Sequence, residues 1–223
     1  MEPSICLCMI VKNESRVIER CLASVRSLIT YWVISDTGST DGTQQVISRV
    51  LRDVPGELHE EPWFDFGHNR TRNIAHARGK ADYLLLLDAD LEIRQDATLP
   101  PQTAASYMLR HEGDVQYRIK RLVRGDIAWR YEGVTHEYLT TDDEPVGQEN
   151  LDALVVVDHA DGGSRGDKFE RDARLLRADL ERDPHNPRTL ANREYAARRL
   201  GTVPGPTSVS VQHRGKIPAA AGK

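Results

Sequence analysis

Residues 83–90 read Tyr-Leu-Leu-Leu-Leu-Asp-Ala-Asp, and this segment constrains the chain more than any other. A short, unbroken apolar run is a strand covered on both faces of a sheet. It stops abruptly at two carboxylates. Residues two apart on an extended chain point to the same side. Asp88 and Asp90 therefore address one object beyond the strand's C-terminal end, where open α/β sheets bind their ligands. Hard carboxylate oxygens suit Mn2+ or Mg2+, ions that keep waters and borrow phosphate oxygens from a ligand. The competing reading is a strand-to-turn junction whose aspartates cap the next segment, and a short motif alone does not decide between them.

The surroundings fit the first reading. Ile5 to Val11 is a second apolar run, followed by Val17, Ile18, Cys21, Leu22, Val25, Leu28 and Ile29 at helical spacing, with Asn13 and Ser15 placed to cap that helix. Tyr31 to Ser35 predicts a strand, Val46 to Leu51 a helix, Leu58 to Glu60 a short strand, and Asn69 to Ala77 a helix leading into the strand at 82–87. Strands alternating with helices imply parallel βαβ units, hence an α/β fold. Past residue 95 the pattern changes. Strands are expected at 115–123, 127–129, 134–139 and 151–157. A helix carrying Phe169, Ala173, Leu176 and Leu180 follows, Pro184 ends it, and Pro187 opens another that runs to about Gly201. Residues 202–223 lack periodicity and read as a poorly ordered tail. The expected organisation is a domain over 1–165, a helical segment over 166–201 and the tail over 202–223.

Composition narrows the function classes. A chain of 223 residues with 39% hydrophobic and 29% charged residues has the balance of a soluble globular protein with one sizeable core. A net charge of -4 gives no field that favours nucleic acid. No apolar run approaches the ~20 residues of a membrane span, and the N-terminus lacks the basic-then-apolar pattern of a secretory signal. A cytoplasmic location is the expectation. Cysteines 6, 8 and 21 are too few and odd in number for a disulfide framework, and no second pair completes a zinc site. Cys6 and Cys8 share one strand face as small buried hydrophobes.

Two further polar clusters follow strand-like runs. In Ser35-Asp36-Thr37-Gly38-Ser39-Thr40-Asp41-Gly42, Asp36 stands at a strand's C-terminal end, where it can accept hydrogen bonds from a base or a ribose. Thr40 and Asp41 read better as helix caps. In Phe66-Gly67-His68-Asn69-Arg70-Thr71-Arg72-Asn73, Arg72 offers a planar fork for a phosphate or base, although one helical arginine by itself is more often a solvated surface residue.

Taken together, these segments resemble the nucleotide-sugar-binding half of family 2 glycosyltransferases, which have the GT-A fold. Met9-Ile10-Val11-Lys12-Asn13-Glu14 looks like the end of that family's first strand. Asp36-Thr37-Gly38-Ser39-Thr40-Asp41-Gly42 looks like its Asp-Asp-Gly-Ser-Thr-Asp-Gly element, with Thr37 in place of the second Asp. Arg72-Asn73 matches the Arg-Asn before the metal strand, and Asp88-Ala89-Asp90 matches the Asp-x-Asp motif. The resemblance implies a mixed, mainly parallel sheet flanked by helices. It implies donor contacts from Val11, Asn13, Glu14, Asp36, Asn69, Arg72 and Asp88, and a Mn2+ or Mg2+ ion on Asp90 with Asp88 beside it.

The second half resembles a subgroup of the family. Trp129-Arg130-Tyr131-Glu132-Gly133-Val134-Thr135-His136-Glu137 looks like its Trp-x-Gly-x-x-His-Glu element with altered spacing, and Val157-Asp158-His159 with Lys168 and Arg171 looks like a later histidine segment. Asp183-Pro184-His185-Asn186-Pro187 resembles the opening of the tetratricopeptide-like helices that often follow. A single such pair cannot bury its own stacking face, so a short helical appendage must pack on the catalytic domain or on a protein partner.

The activity implied is metal-dependent, inverting transfer of a sugar, UDP-sugar favoured, to a glycan, peptide or small-molecule acceptor. Glu137 is the first candidate base and His136 the alternative; a pair of surface strand residues is the bland reading of both. His159 is a candidate to complete the metal shell. Lys168 and Arg171 are candidates for the phosphates, carried by a glycine-bearing segment over 161–167 that could close over the donor.

Three other classes compete. A nucleotidyltransferase needs a glycine-rich basic loop after the first strand, and Lys12-Asn13-Glu14-Ser15 has no glycine. A glycoside hydrolase needs opposed carboxylates rather than two on one strand. A non-catalytic nucleotide-sugar-binding module would keep the site without a competent base.

Overall fold

The computed structural model describes residues 3–143, 147–162 and 168–199. The expected tail, and the glycine-bearing segment beyond Gly162, lie outside the described residues.

The first half forms β1 (Ile5–Val11), α1 (Ile18–Val25), β2 (Tyr31–Asp36), α2 (Thr43–Val50), β3 (Gly56–Glu60), α3 (Phe66–Ala77) and β4 (Tyr83–Leu86). β1 pairs in parallel with β2 and with β4, and β2 pairs in parallel with β3. All four strands therefore run the same way, and their C-terminal ends share one edge. Strand pleating sorts the side chains. Ile5, Leu7, Met9 and Val11 face one layer with Ile18, Cys21, Leu22 and Val25 of α1 and Ile47 of α2. Cys6 and Cys8 face the other layer with Ile74 and Ala77 of α3. Leu85 and Leu84 divide between the same two layers, which is why the 83–87 run is apolar throughout.

The helix starts differ from expectation. Asn13 and Ser15 do not cap α1, which has no side-chain cap; both are drawn instead toward the loop after β2. α3 begins three residues early, because Asp65 accepts the His68 N–H at 2.7 Å and caps it there.

The second half comprises β5 (Leu91–Gln95), β6 (Ser106–Glu112), β7 (Tyr117–Arg124), β8 (Arg130–Glu132), β9 (Tyr138–Thr140), β10 (Gln148–Asp158), α4 (Lys168–Arg182) and α5 (Pro187–Arg199). Among the described residues the main sheet has eight strands in the order β3-β2-β1-β4-β7-β6-β10-β5, and β8 and β9 form a separate ribbon. β4–β7, β6–β7 and β5–β10 are antiparallel while β6–β10 is parallel, so the sheet is mixed, with its continuous parallel block at the first-half end. β5 and β6 have no counterpart in the sequence-based expectation. Of the expected strand over 134–139, Tyr138 and Leu139 belong to β9, and residues 133–137 are a loop between β8 and β9, so His136 and Glu137 are loop residues.

The helical appendage packs on the loop between β8 and β9. Leu176 of α4 and Ala196 of α5 cluster with Val134 of that loop. Asn186 accepts the N–H groups of Arg188 and Thr189, both at 3.1 Å, and caps α5 with Pro187 in its first turn. No helix among the described residues is long and apolar enough to cross a membrane.

Candidate active site

A cavity of about 1060 Å³ opens at the C-terminal edge of β1 and β4. Typical ligand pockets hold roughly 300–1,000 Å³, so this one has room for a nucleotide-sugar with part of a second substrate. Val11, Asn13, Glu14 and Thr37 line one end.

The loops at that end are laced together. The Asn13 N–H donates to Ser39 Oγ at 2.9 Å, and Asn13 Oδ1 accepts the Thr40 N–H at 2.8 Å. The Glu14 N–H donates to Thr43 Oγ1 at 2.9 Å, and the Ser15 N–H to Asp41 Oδ2 at 3.0 Å. Burial works against charge on Asp41, but hydrogen bonds from Thr43 and Ser15 outweigh it and hold the carboxyl at about 2. Asp36 is buried. Its Oδ1 accepts the N–H groups of Gly38 and Ser39 at 2.8 and 2.7 Å, and Gly38 takes the left-handed φ of 103° that the turn requires. Asp36 does not line the cavity; its neighbour Thr37 does. Asp36 Oδ2 is buried without a hydrogen-bond partner among the described residues.

The centre is a charge cluster of Asp88, Arg70, Arg121 and Glu137. Arg70 Nη2 donates to Asp88 Oδ1 at 2.5 Å, and Arg121 Nη2 donates to Asp88 Oδ2 at 3.3 Å. Arg70 Nε lies 2.7 Å from Glu137 Oε1, an ion pair whose angle falls short of a hydrogen bond. Tyr131 lies 5.7 Å from the same guanidinium. Burial opposes the charge of Asp88, yet Arg70 and Arg121 hold the carboxyl well below the usual carboxylate range. Burial likewise opposes the charge of Arg70, and Asp88 with Glu137 raises it above its ordinary value.

Two residues of α3 that the sequence offers for the donor lie off the cavity lining. Arg72 does not line the cavity. Its Nε donates to Glu61 Oε1 at 3.1 Å beside a smaller cleft with His59, His68 and His76. Ile74 lies on the buried face of α3, and Arg70 precedes it by four residues, on that face; Arg72 does not. Asn69 is fully buried and holds the chain before the helix, with Oδ1 accepting the Phe64 N–H at 2.9 Å and Nδ2 donating to the Pro62 carbonyl at 3.1 Å. Both of its polar atoms are thereby used internally.

The loop over 133–137 forms the opposite wall. The Phe66 N–H donates to the Val134 carbonyl at 3.2 Å, and a Cβ on Gly67 would stand 2.3 Å from the Gly133 carbonyl oxygen, so only glycine lets α3 come this close. His136 and Glu137 both face the cavity. α4 completes the wall with Lys168, Arg171, Asp172 and Arg174. The Arg171 guanidinium sits 4.9 Å over the Phe66 ring. The third wall carries His111, Tyr117 and Asp158 from β6, β7 and β10. His111 is buried, its ring stacked 4.6 Å from Tyr117, and burial with Arg121 nearby lowers its proton affinity.

The donor set for a cation is narrower than the sequence suggests. Both oxygens of Asp88 go to arginines. His159 does not line the cavity, because its Nε2 pairs with Glu92 Oε2 at 2.8 Å. Among the described residues no three carboxylate, imidazole or thiol groups converge as a cage. Asp90 does face the cavity, with Asp158 on another wall. Asp90 is the residue that would hold a hard ion here, with oxygens of a bound phosphate and waters completing its shell.

A model of "Glycosyl transferase family 2" matches residues 6–165. A TPR repeat-containing protein of Synechococcus elongatus is 35% identical over 142 residues, covering 59% of this chain and 34% of that protein. The SPbeta prophage-derived glycosyltransferase SunS of Bacillus subtilis is 35% identical over 89 residues, covering 40% of this chain and 20% of that protein. The chain thus spans about a third of the first relative and about a fifth of the second. Among solved structures, TarS of S. aureus in complex with UDP matches 41% of this chain and 28% of its own at 19% identity, with a TM-score of 0.36. The family match runs through every strand of the sheet and through the loop that bears His136 and Glu137, and the chain belongs to glycosyl transferase family 2.

Proposed function

We propose that the protein transfers a sugar from a nucleoside-diphosphate sugar, a UDP-sugar first among them, to an acceptor hydroxyl or other nucleophile, with inversion at the anomeric carbon. One observation carries this reading. A metal-competent carboxylate (Asp90), a cationic α4 wall (Lys168, Arg171, Arg174) and two proton acceptors (His136, Glu137) surround one cavity at the strand ends.

The residues divide the work by position. The end lined by Val11, Asn13, Glu14 and Thr37 receives the nucleoside, with Asp36 behind it fixing the turn and keeping one buried oxygen without a partner among the described residues. Lys168 and Arg171 face the diphosphate, where fixed cations favour the charge that develops on the leaving group. Asp90 would hold Mn2+ or Mg2+; when bound, the ion supplies Lewis-acid stabilisation of the departing diphosphate. Arg70 and Arg121 pin Asp88, and Arg70 also holds Glu137 on the 133–137 loop of the opposite wall. An acceptor entering from that wall meets His136 and Glu137, either of which could take its proton.

The test is UDP release from a panel of UDP-sugars with candidate glycan, peptide and small-molecule acceptors, run on wild type and Asp90→Asn. Acceptor-dependent UDP release that drops at least about 10²-fold in the variant supports the proposal. Equal release by both proteins overturns the role of Asp90.

A further inference from the structure

Asp172 is a buried carboxylate with no hydrogen-bond donor to satisfy it among the described residues. It belongs to α4, its side chain is 1% exposed, and both carboxylate oxygens lack a hydrogen-bond partner among the described residues. Leaving a buried carboxylate without donors is costly, and a helix packed by Leu176 and Ala196 does not need one for its fold. The residue sits on the apolar stripe of α4, three after Phe169 and four before Leu176, where a leucine would pack without this cost.

Two groups stand nearest to it. Arg171 Nη2 is 3.6 Å from Oδ1, and His136 Nε2 is 3.5 Å from Oδ2. His136 is itself unusual. Its φ of 51° is left-handed, a conformation that a non-glycine residue keeps only where its surroundings impose it. The surroundings here are visible. Arg188 of α5 donates to the His136 carbonyl at 2.6 Å, and the Tyr195 ring meets the imidazole edge-on at 6.0 Å. The C-terminal helices thus set both the backbone and the ring of a residue that faces the cavity. The adjacent Glu137 is differently placed, with its carboxylate 2.7 Å from Arg70.

We propose that Asp172 and His136 form a carboxylate–imidazole pair in which Asp172 is the positioning residue and His136 the base. This rests on the transferase reading above. The Nε2–H donates to Asp172, so Nδ1 carries the free lone pair. The acceptor's O–H proton passes to Nδ1, and the acceptor oxygen forms its bond to the anomeric carbon. The bond from that carbon to the diphosphate oxygen breaks, and its electron pair leaves with the nucleoside diphosphate. The imidazolium, held by the Asp172 carboxylate, then returns its proton to solvent. A 3.5 Å contact tightening to hydrogen-bond length when substrate fills a cavity is ordinary for catalytic pairs. Because Asp172 lies beyond residue 165, the helical segment is part of the catalytic apparatus.

The experiment is 1H–15N NMR of histidine-labelled protein, with the His136 signals assigned by their loss in His136→Gln. Wild type is expected to show a His136 Nε2–H protected from solvent exchange, and Asp172→Asn to exchange it at least about tenfold faster, since a charge-assisted hydrogen bond is roughly twice as strong as a neutral one. A wild-type His136 without a protected Nε2–H, or one unchanged in Asp172→Asn, overturns the pair. If Asp172 only anchored Arg171, the variant would melt earlier while the His136 signal stayed as in wild type. UDP calorimetry on the same samples reads the donor site separately: retained UDP binding with no protected Nε2–H rejects the pair alone, and lost UDP binding in wild type rejects the UDP reading whatever the NMR shows.

Discussion

Replacing Arg70 by methionine removes the guanidinium that joins Asp88 to Glu137. The Arg70 side chain is 15% exposed, and it is 2.5 Å from Asp88 and 2.7 Å from Glu137. Breaking a buried ion pair from one side typically costs about 3–5 kcal/mol, most of it from the charge left behind. Asp88 keeps Arg121 at 3.3 Å, so the lower end applies, about 3 kcal/mol. In a chain of this length that corresponds to a fall of roughly 6–12 °C in Tm. Arg72→Ala serves as the control. Its side chain is 54% exposed and its partner Glu61 retains His76 at 2.7 Å, so the loss should stay within about 1 kcal/mol. Arg70→Met/Asp88→Asn should recover more than about 1 kcal/mol relative to Arg70→Met, because one of the two stranded carboxylates is gone. Urea unfolding with a thermal melt measures all three. Arg70→Met within about 1 kcal/mol of wild type, or Arg72→Ala costing as much as Arg70→Met, would refute the assignment of Arg70 as the arginine of the site.

Three further outcomes follow from the geometry. Gly67→Ala places a methyl 2.3 Å from the Gly133 carbonyl oxygen and should cost about 1–3 kcal/mol in urea unfolding, while UDP binding at the far end of the cavity stays close to wild type. His111 is buried, and burial with Arg121 lowers its folded proton affinity below the ordinary value; the unfolded chain therefore binds the proton first as pH falls. Its contribution to stability should be complete above about pH 6.5 and decline as pH drops toward the folded value, and a Tm–pH profile of His111→Phe should lack that decline. In a transfer assay His136→Gln should lose about 10²–10⁴-fold in kcat and Glu137→Gln no more than about tenfold; the reverse order would return the role of base to Glu137.

Much of the fold could be read in the chain because it rests on periodicity. The apolar runs at 5–11 and 83–87 can only be strands covered on both sides, and their polar ends mark the ligand edge. β6 escaped because Arg110, His111 and Glu112 turn toward charged partners and the cavity, which breaks the apolar signal of a buried strand. Where a motif ended a strand, as at Asp88 and Asp90, the expected residues line the cavity; Arg72, on a helix, does not. Spacing from Ile74 would have chosen Arg70 over Arg72, and the charged Asp172 on the apolar stripe of α4 was a visible irregularity. Arg121 carried no such sign: it sits in a strand with three other basic residues, Arg118, Lys120 and Arg124, and the pairing of β7 with β4 brings it to Asp88. His159 looked like a metal ligand because it follows an apolar strand, but the antiparallel pairing of β5 with β10 delivers Glu92 to it instead.

The central claim, a metal-assisted nucleotide site organised by Asp90, is tested most directly by calorimetric titration of UDP into the protein with and without Mn2+, for wild type and Asp90→Asn. The account predicts UDP binding that tightens with Mn2+ in wild type and loses that dependence in the variant. UDP binding that is identical with and without the ion and unaffected by Asp90→Asn would contradict the metal role, and no UDP binding under either condition would contradict the donor assignment itself.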